Sequence, residues 1–200
     1  MLFNEYQELA WKTVNEEVDI IDNCLIGLYG ESGELVDLLK KIAFHKHPVD
    51  DAMREKLKKE IGDNLWYSAC LAKSYCEMAL RLCWQNDVSE HHFLGFNDID
   101  SYYEINMDMS ADPPYDLAEL AHKMAFGAMN LAPRVIAVKM VSGDKGLVAD
   151  AIHSYIDCLG AIAHCFGLKL DDCAIHNIEK LRARYGEKFS TAASINRRDS

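Results

Sequence analysis

Four carboxylates stand in two pairs of equal spacing, Glu31 with Glu34 and Glu60 with Asp63. Acids three residues apart project from one face of a helix about a turn apart, so each pair can grip one cation. At about 100° per residue, Glu34 lies about 60° from Glu31, and Leu28, Leu35 and Leu38 fall within about 60° on the same side. The first pair therefore sits on an apolar stripe. The second pair repeats the pattern, because Leu57, Asn64, Tyr67 and Leu71 share the face of Glu60. Four carboxylates turned toward a helix contact repel one another and lose hydration unless they are protonated or matched by cations. A hard divalent ion meets that need. Carboxylate oxygens, with positions left for water and phosphate, suit Mg²⁺, with Mn²⁺ as a substitute, better than zinc. One such pair is ordinary on a solvated helix face, whereas two inward-facing pairs on consecutive helices are not.

The elements that must position these acids read as helices. Apolar residues recur at helical period over 4–15 (Tyr6, Leu9, Ala10, Val14), 19–44, 51–84, 116–140, 147–166 and 171–185. Pro48 disfavours helix at His47, and Asp50 or Asp51 can cap the helix that follows. Gly27, Gly30 and Gly33 lie within the second of these helices at a cost on the order of 1 kcal/mol each, which predicts close approach by a backbone or ligand. Gly30, Gly33 and Gly62 flank the two acidic pairs and leave room for a ligand. Residues 86–115 show no clean period and carry a surplus of acids, so they read as an irregular excursion. The expected organisation is 1–85 carrying both acidic pairs, 86–115 the excursion, 116–190 further helices completing one bundle, and 191–200 a flexible tail.

With four prolines and half of its 200 residues apolar, the chain has the composition of an all-α protein with a well-filled core. A formal net charge of −11 argues against polymeric nucleic acid, whose binding depends on clustered Lys and Arg. A small anion remains compatible if divalent cations and local basic residues offset the acidic surface. No stretch reads as a signal peptide or a membrane span, so a cytoplasmic protein is expected. The seven cysteines include no CxxC pair and read as reduced thiols. His45, His47, His91 and His92 read as loop residues, and neither a Walker loop nor a dinucleotide fingerprint is present.

The segments GLYGESGELVDLLKK and KEIGDNLWYSACLA resemble the ExxE and ExxD helices of the all-α nucleoside triphosphate pyrophosphohydrolases, the MazG-like and dimeric dUTPase superfamily. NIEKLRARYGEKF is similar to the closing basic helix of that family. The resemblance implies a MazG-like helical bundle that hydrolyses a nucleoside triphosphate to monophosphate and pyrophosphate. Glu31, Glu34, Glu60 and Asp63 would be both the catalytic residues and the magnesium ligands. Lys40 or Lys41, Lys59, Asn177, Lys180 and Arg184 would steady phosphate oxygens, and Trp66 and Tyr67 would line the base or sugar pocket. By spacing alone the two aromatics equally suit the core, and Lys41 lies nearer the carboxylate face than Lys40.

The chain departs from the family in placing roughly ninety residues between the ExxD helix and the closing helix. Either an insertion extends one unit, or a degenerate second unit is fused in the same chain, with Met129 and Ala132 where Glu31 and Glu34 would stand. A homodimer or homotetramer is expected. The alternative function is a catalytically silent helical module for nucleotide sensing or protein binding.

Overall fold

A computed structural model describes residues 1, 3–75, 116–141, 146–186 and 188–196, and every regular element among them is a helix. These are α1 (Phe3–Trp11), α2 (Ile20–Ala43), α3 (Asp51–Tyr75), α4 (Leu117–Val141), α5 (Gly146–Cys165), α6 (Leu170–Tyr185) and α7 (Thr191–Ile195). The all-α reading thus holds. The excursion at 86–115 and the expected continuation of α3 beyond Tyr75 lie outside the described residues.

Local sequence sets the helix starts. The Asp19 carboxylate accepts from the backbone N–H groups of Ile21 and Asp22, and Asp50 accepts from Met53 at 2.9 Å, each satisfying donors that an uncapped first turn would leave open. Asp116 does the same for Ala118 at the start of α4. Gly186, at φ 67°, ends α6 in a left-handed conformation that suits glycine. Ser190 then caps α7, a short helix within the segment expected as a tail.

Two helix hairpins face each other. α2 packs on α3, α4 on α5, α2 on α4 and α3 on α5, which closes a four-helix ring with first helix against first and second against second. α3 also packs on α1 and α6, so it is covered from several sides. Leu28, Leu35 and Leu39 of α2 meet Leu57, Ile61, Leu65 and Leu71 of α3 in one core that continues through Leu120, Met124, Leu131, Ile152, Leu159 and Ile162. Among the described residues no helix is long and apolar enough to cross a membrane. Cys24, Cys70 and Cys173 are buried free thiols, and Cys158 and Cys165 are half-buried ones.

The glycines divide into two kinds. A Cβ on Gly27 would fall 2.2 Å from the Tyr67 ring, and one on Gly62 would fall 2.9 Å from both Asn177 Cβ and the Cys173 carbonyl oxygen, so these two mark close helix approaches. Gly30 and Gly33 meet nothing within 4 Å, and both are exposed. The close approach expected at all three α2 glycines therefore holds only at Gly27, because the next two turn to the outer face. Gly62→Ala should push α6 off α3 and cost about 1–3 kcal/mol. Gly30→Ala should gain up to about 1 kcal/mol of helix propensity. Thermal unfolding of the two variants should move in opposite directions.

Candidate metal centre

The acids meet where α2 crosses the middle of α3. One carboxylate oxygen from each of Glu31, Glu60 and Asp63 lies within 4.8 Å of the other two, which is close enough to share one ion. Glu60 is 7% exposed, and its Oε2 is buried with no hydrogen-bond partner. Glu31 is half-buried, and burial, then the charges of Asp63, Glu60 and Glu34, push its carboxyl up to about 7, with Lys59 acting in the opposite sense. Glu34, expected on the inward face, is exposed; it lines the same cleft without joining the three-oxygen group. Its place at the edge of the α2 stripe leaves it beyond the cover of α3.

Lysines sit beside the acids. Lys59 reaches Glu60 Oε1 at 2.8 Å and Asp63 Oδ2 at 3.7 Å, and Lys180 of α6 pairs with Asp63 Oδ1. Burial alone would lower the Lys59 pKa, but the hydrogen bond from Lys59 to Glu60 and the charges of Glu60, Asp63 and Glu31 raise it. Asn177, which by the resemblance would steady phosphate oxygens, here contacts Asp63. It is buried, donates from Nδ2 to Asp63 Oδ1 at 2.9 Å and accepts at Oδ1 from the Tyr6 hydroxyl at 3.0 Å. Lys180 likewise holds Asp63 and does not line the cleft.

The cleft beside the acids has a volume of about 390 Å³. Lys59, Trp66, Tyr67 and Arg184 line it, together with Thr13, Asn15 and Asn23, which the sequence reading did not single out. Trp66 donates from Nε1 to the Thr13 hydroxyl at 2.9 Å and meets Tyr67 edge-on at 4.8 Å between ring centres, so the two aromatics form a wall of fixed orientation. Phe189, just before α7, and Ser194, within it, also line the cleft. Lys41 is absent from the cleft. Ten residues beyond Glu31 is about 15 Å along a helix, and there Lys41 pairs with Asp37 at 2.6 Å, as does Lys40 with the same carboxylate.

The donor set fits a hard divalent cation. Three carboxylates with an oxygen each within 4.8 Å of the others, one of them carrying an orphaned buried oxygen, form a site whose anionic charge the nearby lysines only partly offset. Residues 21–82 match the family model of the MazG nucleotide pyrophosphohydrolase domain, a span that takes in most of α2, the loop after it and all of α3. The MazG-like character read from the two acidic motifs is thereby shown for this hairpin. No curated protein and no solved structure matches the chain.

The Tyr6 hydroxyl is fully buried, and its loss would leave Asn177 Oδ1 without that donor. Tyr6→Phe should therefore cost about 1–3 kcal/mol, seen as a lower thermal midpoint with unchanged helical circular dichroism at room temperature.

Proposed function

We propose that this protein is a Mg²⁺-dependent nucleoside triphosphate pyrophosphohydrolase. The observation that carries the reading is the meeting of Glu31, Glu60 and Asp63 carboxylates, with a buried, unpartnered oxygen on Glu60, on the hairpin that matches the MazG domain. MazG-type pyrophosphohydrolases use divalent metals. Glu31, Glu60 and Asp63 would hold the metal, with Glu34 at the mouth of the cleft completing its surroundings or holding water. When bound, the cation supplies charge neutralisation for the triphosphate and activation of water.

The remaining work falls to the chain's own side chains. Lys59 and Arg184 face the cleft and can meet phosphate oxygens there. Trp66 and Tyr67 offer apolar ring surface for the nucleoside, with Thr13, Asn15 and Asn23 as polar groups able to read base or sugar edges. In the reaction, a water oxygen bonds to the α-phosphorus as the α–β bridging bond breaks. The bridging oxygen leaves with pyrophosphate, and the water proton passes to a cleft carboxylate or to solvent, giving the nucleoside monophosphate.

Product analysis on a panel of NTPs and dNTPs with Mg²⁺ tests this reading. The wild-type chain should release monophosphate and pyrophosphate in equal amounts. Loss of an outer-shell partner of a metal commonly costs 10- to 100-fold, so replacing a ligand in Glu60→Gln should cut turnover by at least about 100-fold, and Glu34→Gln should also abolish it with little loss of folding. Release of inorganic phosphate in place of pyrophosphate would contradict the reaction. Nucleotide binding without turnover across the panel would favour the silent sensing module.

A further inference from the structure

We infer that Tyr155, on the second hairpin, is a positioning residue for the metal centre on the first; the inference rests on the reading of that centre given above. Tyr155 is 1% exposed, and its hydroxyl donates to Asn64 Oδ1 at 2.6 Å, from α5 across to α3. Asn64 is fully buried beside Asp63, and its Nδ2 donates to the Glu60 backbone carbonyl at 2.8 Å. One asparagine side chain thus joins the phenol of α5 to the turn of α3 that carries Glu60 and Asp63. Ser32, also buried, acts on the Tyr155 hydroxyl from α2, one residue past Glu31. The phenol therefore lies where both acid-bearing helices converge.

The second hairpin is shaped to deliver this hydroxyl. A Cβ on Gly127 of α4 would fall 3.0 Å from Tyr155 Cδ2, so the absence of a side chain there lets the ring lie against α4 while its oxygen reaches α3. The relay mirrors the one on the other side of α3, where Tyr6 holds Asn177 and Asn177 holds Asp63. Partners of this outer kind orient ligand-bearing groups, and their loss typically weakens metal binding 10- to 100-fold. Tyr155 touches neither substrate nor metal in this account; it acts through Asn64 on the spacing between Glu60, Asp63 and Glu31.

Calorimetric titration of Mg²⁺ into the full chain, without nucleotide, separates positioning from mere packing. Tyr155→Phe keeps the ring and should bind Mg²⁺ about tenfold more weakly. Ile152→Val trims an equally buried α5 side chain that takes no part in the relay; it should lower the thermal midpoint yet keep wild-type Mg²⁺ affinity. Gly127→Ala, which retains the hydroxyl but crowds the ring, should show a smaller loss than Tyr155→Phe in the same direction, and it serves if Tyr155→Phe does not fold. Wild-type Mg²⁺ affinity in Tyr155→Phe, or an equal loss in Ile152→Val, would reduce Tyr155 to a core residue and overturn the inference alone. No Mg²⁺ binding by the wild-type chain would overturn the metal centre and this inference together.

Discussion

Desolvated negative charge at the crossing of α2 and α3 is the constraint around which the rest of the structure is arranged. Removing carboxylates from water is costly unless each finds donors or a cation. α3 nonetheless carries Glu60 at 7% exposure in the middle of a helix packed against α1, α2, α5 and α6. A helix covered that widely would ordinarily be apolar all round. Glu60, Asn64 and Ser68 instead interrupt it with buried polar groups at consecutive turns.

The surrounding elements read as responses to that charge. Lys59 and Lys180 supply compensating cations, Asn177 donates to Asp63, and Asn64 fastens the backbone at Glu60. The hydrophobic core holds the helices at the distance these contacts require. Gly62 is central to that distance, since only the lack of a side chain lets α6 come near enough for Asn177 to reach Asp63. Two tyrosines from opposite sides of α3 then secure the two asparagines, so the N-terminal helix and the second hairpin both bear on one site.

The sequence made much of this legible where the governing interaction is local. Asp19 and Asp50 cap α2 and α3 at the positions their types suggest, and the three-residue spacing of the acids placed Glu31, Glu60 and Asp63 together. Contacts between distant helices are not legible in this way. Asn177 and Lys180 read as phosphate contacts because a basic closing helix suggests them; nothing within α6 reveals that Gly62 draws its polar face onto Asp63. Glu34 differs from Glu31 by about 60° on the wheel, enough to move it from a helix contact to an exposed rim. Tyr6 and Tyr155 are beyond periodicity altogether, since a buried tyrosine at core spacing gives no sign of where its hydroxyl ends.

The central claim, that Glu31, Glu60 and Asp63 form one cation site, is tested most directly by anomalous X-ray scattering from crystals grown with Mn²⁺. A peak is expected among these three carboxylates at about 2.2 Å from their oxygens, with Lys59 or Lys180 shifted away from its present ion pair. A peak elsewhere, or none while both lysines keep their contacts with Glu60 and Asp63, would show instead that the lysines alone neutralise the buried acids.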